Sequence, residues 1–116
     1  MTAAIAMEAG RIVNLGPAER IPLGEGRAFT IGGMRVAVFR PREGGIHATQ
    51  AECPHKAGPL ADGLLGGGVL VCPLHARKWA LATGAPVAGN ECAALTTYAV
   101  SVSAEGDVLV ELRGGA

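Results

Sequence analysis

Aromatic side chains are nearly missing from this 116-residue chain, which has one Trp, one Tyr and two Phe, or 3% of its residues. Burial therefore has to come from Val, Leu, Ile and Ala, and the apolar fraction of 49% is high enough to exclude wholesale disorder. The length suits one domain with a core of its own and is too short for two of ordinary size. Net charge is also lacking, because ten basic and ten acidic residues cancel. Without a basic stripe to neutralise phosphates, nucleic acid is not the expected partner. The longest apolar stretch, Leu64 to Leu74, is broken by three glycines and falls short of the ~20 residues that cross a bilayer. No membrane partner is expected. Met1 to Gly10 carries Glu8 and no basic residue before Arg11, the wrong profile for a secretory signal. Residues 1–10 are expected to be a loose leader and 11–116 a single domain. Three cysteines cannot form a disulfide framework, and without a signal they point to the cytoplasm, where thiols stay reduced.

Glycine, by contrast, is abundant at eighteen residues, and it punctuates short alternating runs. Arg11 to Leu15 reads as a strand closed by a Gly16-Pro17 turn, with one helical turn over Pro17 to Arg20. Ala28 to Ile31, the pair Gly32-Gly33 and Met34 to Arg40 read as a hairpin, with Met34, Val36 and Val38 on one face. After a Gly44-Gly45 turn, Ile46 to Ala51 reads as a strand, as do Val69 to Val71, Lys78 to Leu81, Tyr98 to Val102 and Val108 to Leu112. Turns are expected at Ala82-Thr83-Gly84 and Glu105-Gly106-Asp107, and a brief helix fits only Pro59 to Leu65. The expected fold class is all-β, an antiparallel sandwich or small barrel.

Two short loops carry the chemistry, Cys53-Pro54-His55 and Cys72-Pro73-Leu74-His75, a C-x-H and a C-x-x-H separated by sixteen residues. Two thiolates and two imidazoles can surround one zinc ion tetrahedrally. They can also hold a binuclear iron–sulfur cluster, Cys53 and Cys72 on one iron and His55 and His75 on the other. Zinc sites usually pair two like ligands within one segment, whereas here each loop brings one Cys and one His, which favours the [2Fe–2S] cluster.

These motifs, with the strand pattern from about Arg27 to Leu112, resemble a Rieske ferredoxin-type domain. The resemblance implies a β-sandwich with a small cluster-binding subdomain of two loops, and both imidazoles at an exposed tip where an electron enters or leaves. The respiratory-complex branch joins its loops by a disulfide at the positions of Gly58 and Leu74 here, so that bond cannot form. That branch also offers cluster sulfur two hydroxyls, at positions that are Arg77 and Trp79 here. Fewer hydrogen bonds imply a potential towards the lower end of the Rieske span, nearer about −150 mV than +300 mV. C-P-H-K-x-G-P-L followed by Asp62-Gly63-Leu64, then C-P-L-H, L-A-T-G and Glu91-Cys92 resemble the small subunit of NAD(P)H-dependent assimilatory nitrite reductase. Ala76 and Ala80 depart from that pattern. The resemblance implies one-electron transfer to a large subunit carrying flavin and siroheme, which reduces nitrite to ammonium. The alternatives are a free ferredoxin of an aromatic-ring dioxygenase, exchanging electrons with reductase and oxygenase, and a zinc-stabilised binding module.

No acid/base pair, nucleophile elbow or phosphate loop accompanies these loops, so no catalytic residue is expected in this chain. Cys92 reads as a small buried hydrophobe, His47 as a partly buried sheet residue, and Trp79 as packing beneath the second loop. Lys56, Arg77 and Lys78 flank the ligand loops, as a rim steering an acidic partner face or as solvated surface.

Overall fold

The computed structural model describes residues 11–54, 58–74, 77–87 and 93–112. Ten strands lie within them: Arg11–Pro17 (β1), Glu25–Ile31 (β2), Met34–Arg40 (β3), His47–Gln50 (β4), Leu64–Gly66 (β5), Val69–Val71 (β6), Lys78–Ala80 (β7), Thr97–Tyr98 (β8), Val100–Val102 (β9) and Asp107–Leu112 (β10). They form three antiparallel sheets, in the orders β1-β10-β9, β2-β3-β4-β8 and β5-β6-β7. The all-β expectation holds. Among the described residues the helical elements are single 3₁₀ turns, Ala18–Arg20 and Leu60–Asp62.

The middle sheet separates two cores, and β3 explains how. Its run Val36-Ala37-Val38-Phe39 is apolar at every position, the pattern of a strand covered on both faces. Val36 and Val38 join Val108, Val110 and Leu112 in one core, while Ala37 and Phe39 face the other. Met34, Val36 and Val38 do share a face, as their alternation predicts, and the opposite face is buried too. The second core holds Cys53, Cys72, Leu60, Leu70, Trp79 and Leu95. Burying Leu60 and Leu70 fully stabilises the fold by roughly 1.5–3 kcal/mol each, before the entropy of ordering them.

Several boundaries differ from the sequence expectation, each for a local reason. Gly16-Pro17 does not end β1. Gly16 takes a positive φ of 94°, its N–H donates to Asn14 Oδ1 at 2.7 Å, and the register shifts there as a bulge before Pro17 pairs with Asp107. Leu64–Gly66 is a strand instead of the end of a helix, because Gly67 and Gly68 (φ 58° and 78°) close a tight hairpin onto β6. The run expected from Tyr98 to Val102 divides at Ala99: β8 pairs with β4, whereas β9 pairs with β10. The chain thereby crosses from one sheet to the next. The Gly32-Gly33 hairpin is as expected, with Ile31 opposite Met34 and both glycines at positive φ.

Candidate metal centre

Each ligand loop is the tip of a narrow hairpin. Beyond β4, Glu52 bridges Pro59 and the Leu60 N–H donates to the Ala51 carbonyl at 3.0 Å. These contacts bring the two ends of the first loop together. The Cys53 N–H then closes the loop on the Gly58 carbonyl at 2.8 Å. In the second hairpin Val71 of β6 pairs with Lys78 of β7, and the Cys72 N–H closes on the Arg77 carbonyl, also at 2.8 Å. In both loops a cysteine amide bonds the carbonyl five residues on. The two motifs, unequal as C-x-H and C-x-x-H, thus sit in loops of equal length and equal closure.

Cys53 and Cys72 are both buried, 3% and 2% exposed, in the same apolar core. Pro54, Pro73 and Leu74 are exposed around them. The loops touch at Gly58: a Cβ built there would lie 2.9 Å from the Leu74 side chain and 3.1 Å from Cys72 Sγ. Glycine at 58 therefore leaves room beside the thiol, as a cradle for an inorganic group requires. These two positions, to which the resemblance assigns the inter-loop disulfide of the respiratory branch, hold glycine and leucine in this chain. Here an apolar contact occupies that position.

His55, Lys56, His75, Ala76 and Cys92 lie outside the described residues, as do residues 1–10. Among the described residues no three His, Cys, Asp or Glu side chains gather as a metal site, so the described donors are the two thiols. Two buried soft donors on facing loops, beside a glycine cradle, fit the sulfur side of a [2Fe–2S] cluster. Trp79 lies beneath the second loop as expected, fully buried, and its indole N–H donates to the Ala93 carbonyl at 3.0 Å. Its single polar atom is therefore engaged away from the cysteines. His47 is half-buried in β4, as predicted.

Sequence reasoning missed the polar frame behind the loops. The Gln50 side chain donates from Nε2 to the Glu52 carbonyl at 2.8 Å and accepts at Oε1 from the Thr96 N–H at 2.8 Å. Glu52 also pairs with Arg35 at 3.1 Å, both partly exposed. No motif or periodicity marks a glutamine that bonds a backbone 46 residues away. No helix of the described residues is long and apolar enough to cross a membrane.

Residues 11–99 match the family model for the Rieske [2Fe-2S] domain. The ferredoxin component of a naphthalene 1,2-dioxygenase system from Pseudomonas aeruginosa is 34% identical over 96 residues, which span 79% of this chain and 86% of that protein. Among solved structures, the ferredoxin of carbazole 1,9a-dioxygenase from Nocardioides aromaticivorans IC177 superposes with a TM-score of 0.78 at 26% identity, over 87% of this chain and 97% of that one. A protein assigned as the small subunit of an NADPH nitrite reductase gives a TM-score of 0.75 at 26% identity, covering 86% and 97%.

Proposed function

The chain belongs to the Rieske [2Fe–2S] domain family, and from that premise we propose that Cys53 and Cys72 hold one iron of its cluster and His55 and His75 the other, making it a carrier between two redox proteins. The observation that carries this reading is the pair of buried cysteines at the closing positions of two equally closed loops. The bound cluster takes up and releases one electron at a time. The protein's own residues supply the setting. Leu60, Leu70, Trp79 and Leu95 keep water from the thiol side, and the cysteine amides, tied to Gly58 and Arg77, hold both loops in one shape. Among the described residues, the exposed Pro54, Pro73 and Leu74 give the loops a small apolar surface that a partner can approach closely, with Lys78 exposed beside the second loop.

The partner this reading favours is the oxygenase of a ring-hydroxylating dioxygenase system, with a reductase as the electron source. Its support is the relative that serves a naphthalene dioxygenase, 34% identical over 79% of this chain. A second reading, the small subunit of a nitrite reductase with a flavin and siroheme large subunit, is supported by a specific likeness. The segment Cys53-Pro54-His55-Lys56-Ala57-Gly58-Pro59-Leu60 with Asp62-Gly63-Leu64 resembles that branch, and one such structure superposes at 26% identity.

Metal analysis and stopped-flow oxidation test both levels. The purified protein is expected to contain about two iron and two sulfide per chain. Zinc in their place ends the electron-transfer reading. The reduced protein is then mixed separately with a ring-hydroxylating oxygenase and with a siroheme nitrite reductase subunit. Rapid reoxidation by the oxygenase alone is the expected result, and reoxidation by the siroheme protein alone moves the assignment to the second reading.

A further inference from the structure

Behind the two loops, one short segment touches the base of both. Ala93 accepts the indole N–H of Trp79, two residues past the end of the second loop. The Leu95 N–H donates to the Gly84 carbonyl at 2.8 Å, which anchors the middle of the segment in the turn after β7. Thr96 uses both its peptide groups on one residue. Its carbonyl accepts the Gln50 N–H at 2.9 Å, and its N–H donates to Gln50 Oε1 at 2.8 Å. The other end of that amide, Nε2, holds the Glu52 carbonyl, the last peptide before Cys53.

We propose that residues 93–96 form a clamp that sets the spacing and attitude of the two ligand loops, pinned to the first through Gln50 and to the second through Trp79. Both are positioning residues. The proposal rests on the cluster reading above, in that the loops are taken to be ligand loops. The amide of Gln50 suits the task because one end donates and the other accepts, so it joins two backbone groups that cannot bond each other. A glutamate at 50 can still accept from Thr96, but its second oxygen would face the Glu52 carbonyl, acceptor against acceptor. Gln50→Glu therefore cuts one arm of the pin and leaves the other. The hydrophobic packing of Leu95 in the core beside the cysteines holds the clamp down from within.

A comparison within the same chain separates positioning from general stability. Asn14, on β1, is also an amide making two hydrogen bonds, from Nδ2 to Asp107 at 3.1 Å and through Oδ1 to the Gly16 N–H at 2.7 Å. It lies on β1, whose partner strand β10 packs Val108, Val110 and Leu112 into the core that does not hold the cysteines. The test uses the cluster-loaded full chain as wild type, Gln50→Ala, Gln50→Glu, Asn14→Ala, Trp79→Phe and the Gln50→Ala/Trp79→Phe pair. Cluster release is followed by loss of visible absorbance, and the reduced cluster by its electron paramagnetic resonance spectrum.

Gln50→Ala is expected to release the cluster about tenfold faster and to broaden the spectrum, Gln50→Glu to do so in part, and Asn14→Ala to do neither. If both arms act through one clamp, the Gln50→Ala effect shrinks to less than about threefold when Trp79 is already Phe. An equal factor in both backgrounds, or equal effects of Gln50→Ala and Asn14→Ala, overturns the proposal. Amide exchange of the metal-free chain reads the clamp independently of any cluster. The Cys53 amide should exchange faster in Gln50→Ala and not in Asn14→Ala, and an unchanged Cys53 amide overturns the clamp. A wild-type protein without iron and sulfide overturns the cluster reading, and with it the role proposed for the clamp.

Discussion

Gly63→Ala is expected to damage the metal end of the molecule for a reason that involves space alone. Gly63 follows the 3₁₀ turn Leu60–Asp62 with φ −75° and ψ 175°, an ordinary extended conformation open to any residue. Alanine therefore carries no conformational penalty there, and by restricting the unfolded chain it would alone stabilise by roughly 0.4–1 kcal/mol. The space is the obstacle. A Cβ would overlap the Val71 carbonyl oxygen and lie 3.1 Å from the Leu60 carbonyl and 3.2 Å from Leu70 Cδ1. Two of these neighbours are backbone, and Leu70 is fully buried, so none can step aside cheaply. Forcing one carbon into a packed site costs typically 1–3 kcal/mol, and overlap with backbone puts this site near the upper end. The net expectation is a loss of about 2 kcal/mol. For a chain of this size that lowers Tm by roughly 7–9 °C.

The cost should also be local. Val71 is the residue before Cys72, and its paired neighbour across β5 is Leu64, so relief of the overlap pushes the second ligand loop outward. Gly66→Ala is the control three residues away: nothing lies within 4 Å of its Cβ and its φ is not in the left-handed region. Thermal unfolding and the rate of cluster release are measured on both variants. Gly66→Ala should match wild type within about 0.5 kcal/mol. A Gly63→Ala protein as stable as Gly66→Ala, with an unchanged release rate, would refute the steric reasoning.

Three further outcomes are expected. A redox titration should give a midpoint nearer about −150 mV than +300 mV, because Trp79 has no hydroxyl and its N–H is taken by the Ala93 carbonyl; a clearly positive midpoint refutes this. Gly58→Ala should lose about 1 kcal/mol by crowding Leu74 and Cys72 Sγ, and adding Leu74→Ala should restore part of that loss in a denaturation double-mutant cycle; purely additive losses would mean that the loops do not meet there. Stripping the iron should speed amide exchange at Leu60 and Leu70, which share a core with the cysteines, while Val36, Val38 and Val110 in the other core stay protected.

What was legible in the sequence follows from how locally each feature is encoded. Ligand chemistry demands particular atoms, so Cys53, His55, Cys72 and His75 stand out by type and spacing, as does the Gly32-Gly33 hairpin, whose two positive φ angles need glycine. Gly16-Pro17 misleads because a turn and an edge bulge ask for the same residues, and only the pairing of Pro17 with Asp107 separates them. Leu64–Gly66 is ambiguous because three residues are too few to show a period, and the choice is made by Val71 and Leu70 across the hairpin. The Gln50 frame is invisible for a stronger reason: its partners are peptide groups, which every residue carries. The equivalence of the two loops is hidden in the same way. Their motifs differ, with histidine third in one loop and fourth in the other, yet each loop closes from a cysteine N–H to a carbonyl five residues on, Gly58 in one and Arg77 in the other. Side-chain spacing thus marks which residues can bind metal, whereas backbone closure sets the two loops to equal depth. A one-residue insertion within either loop would keep every ligand and break that match.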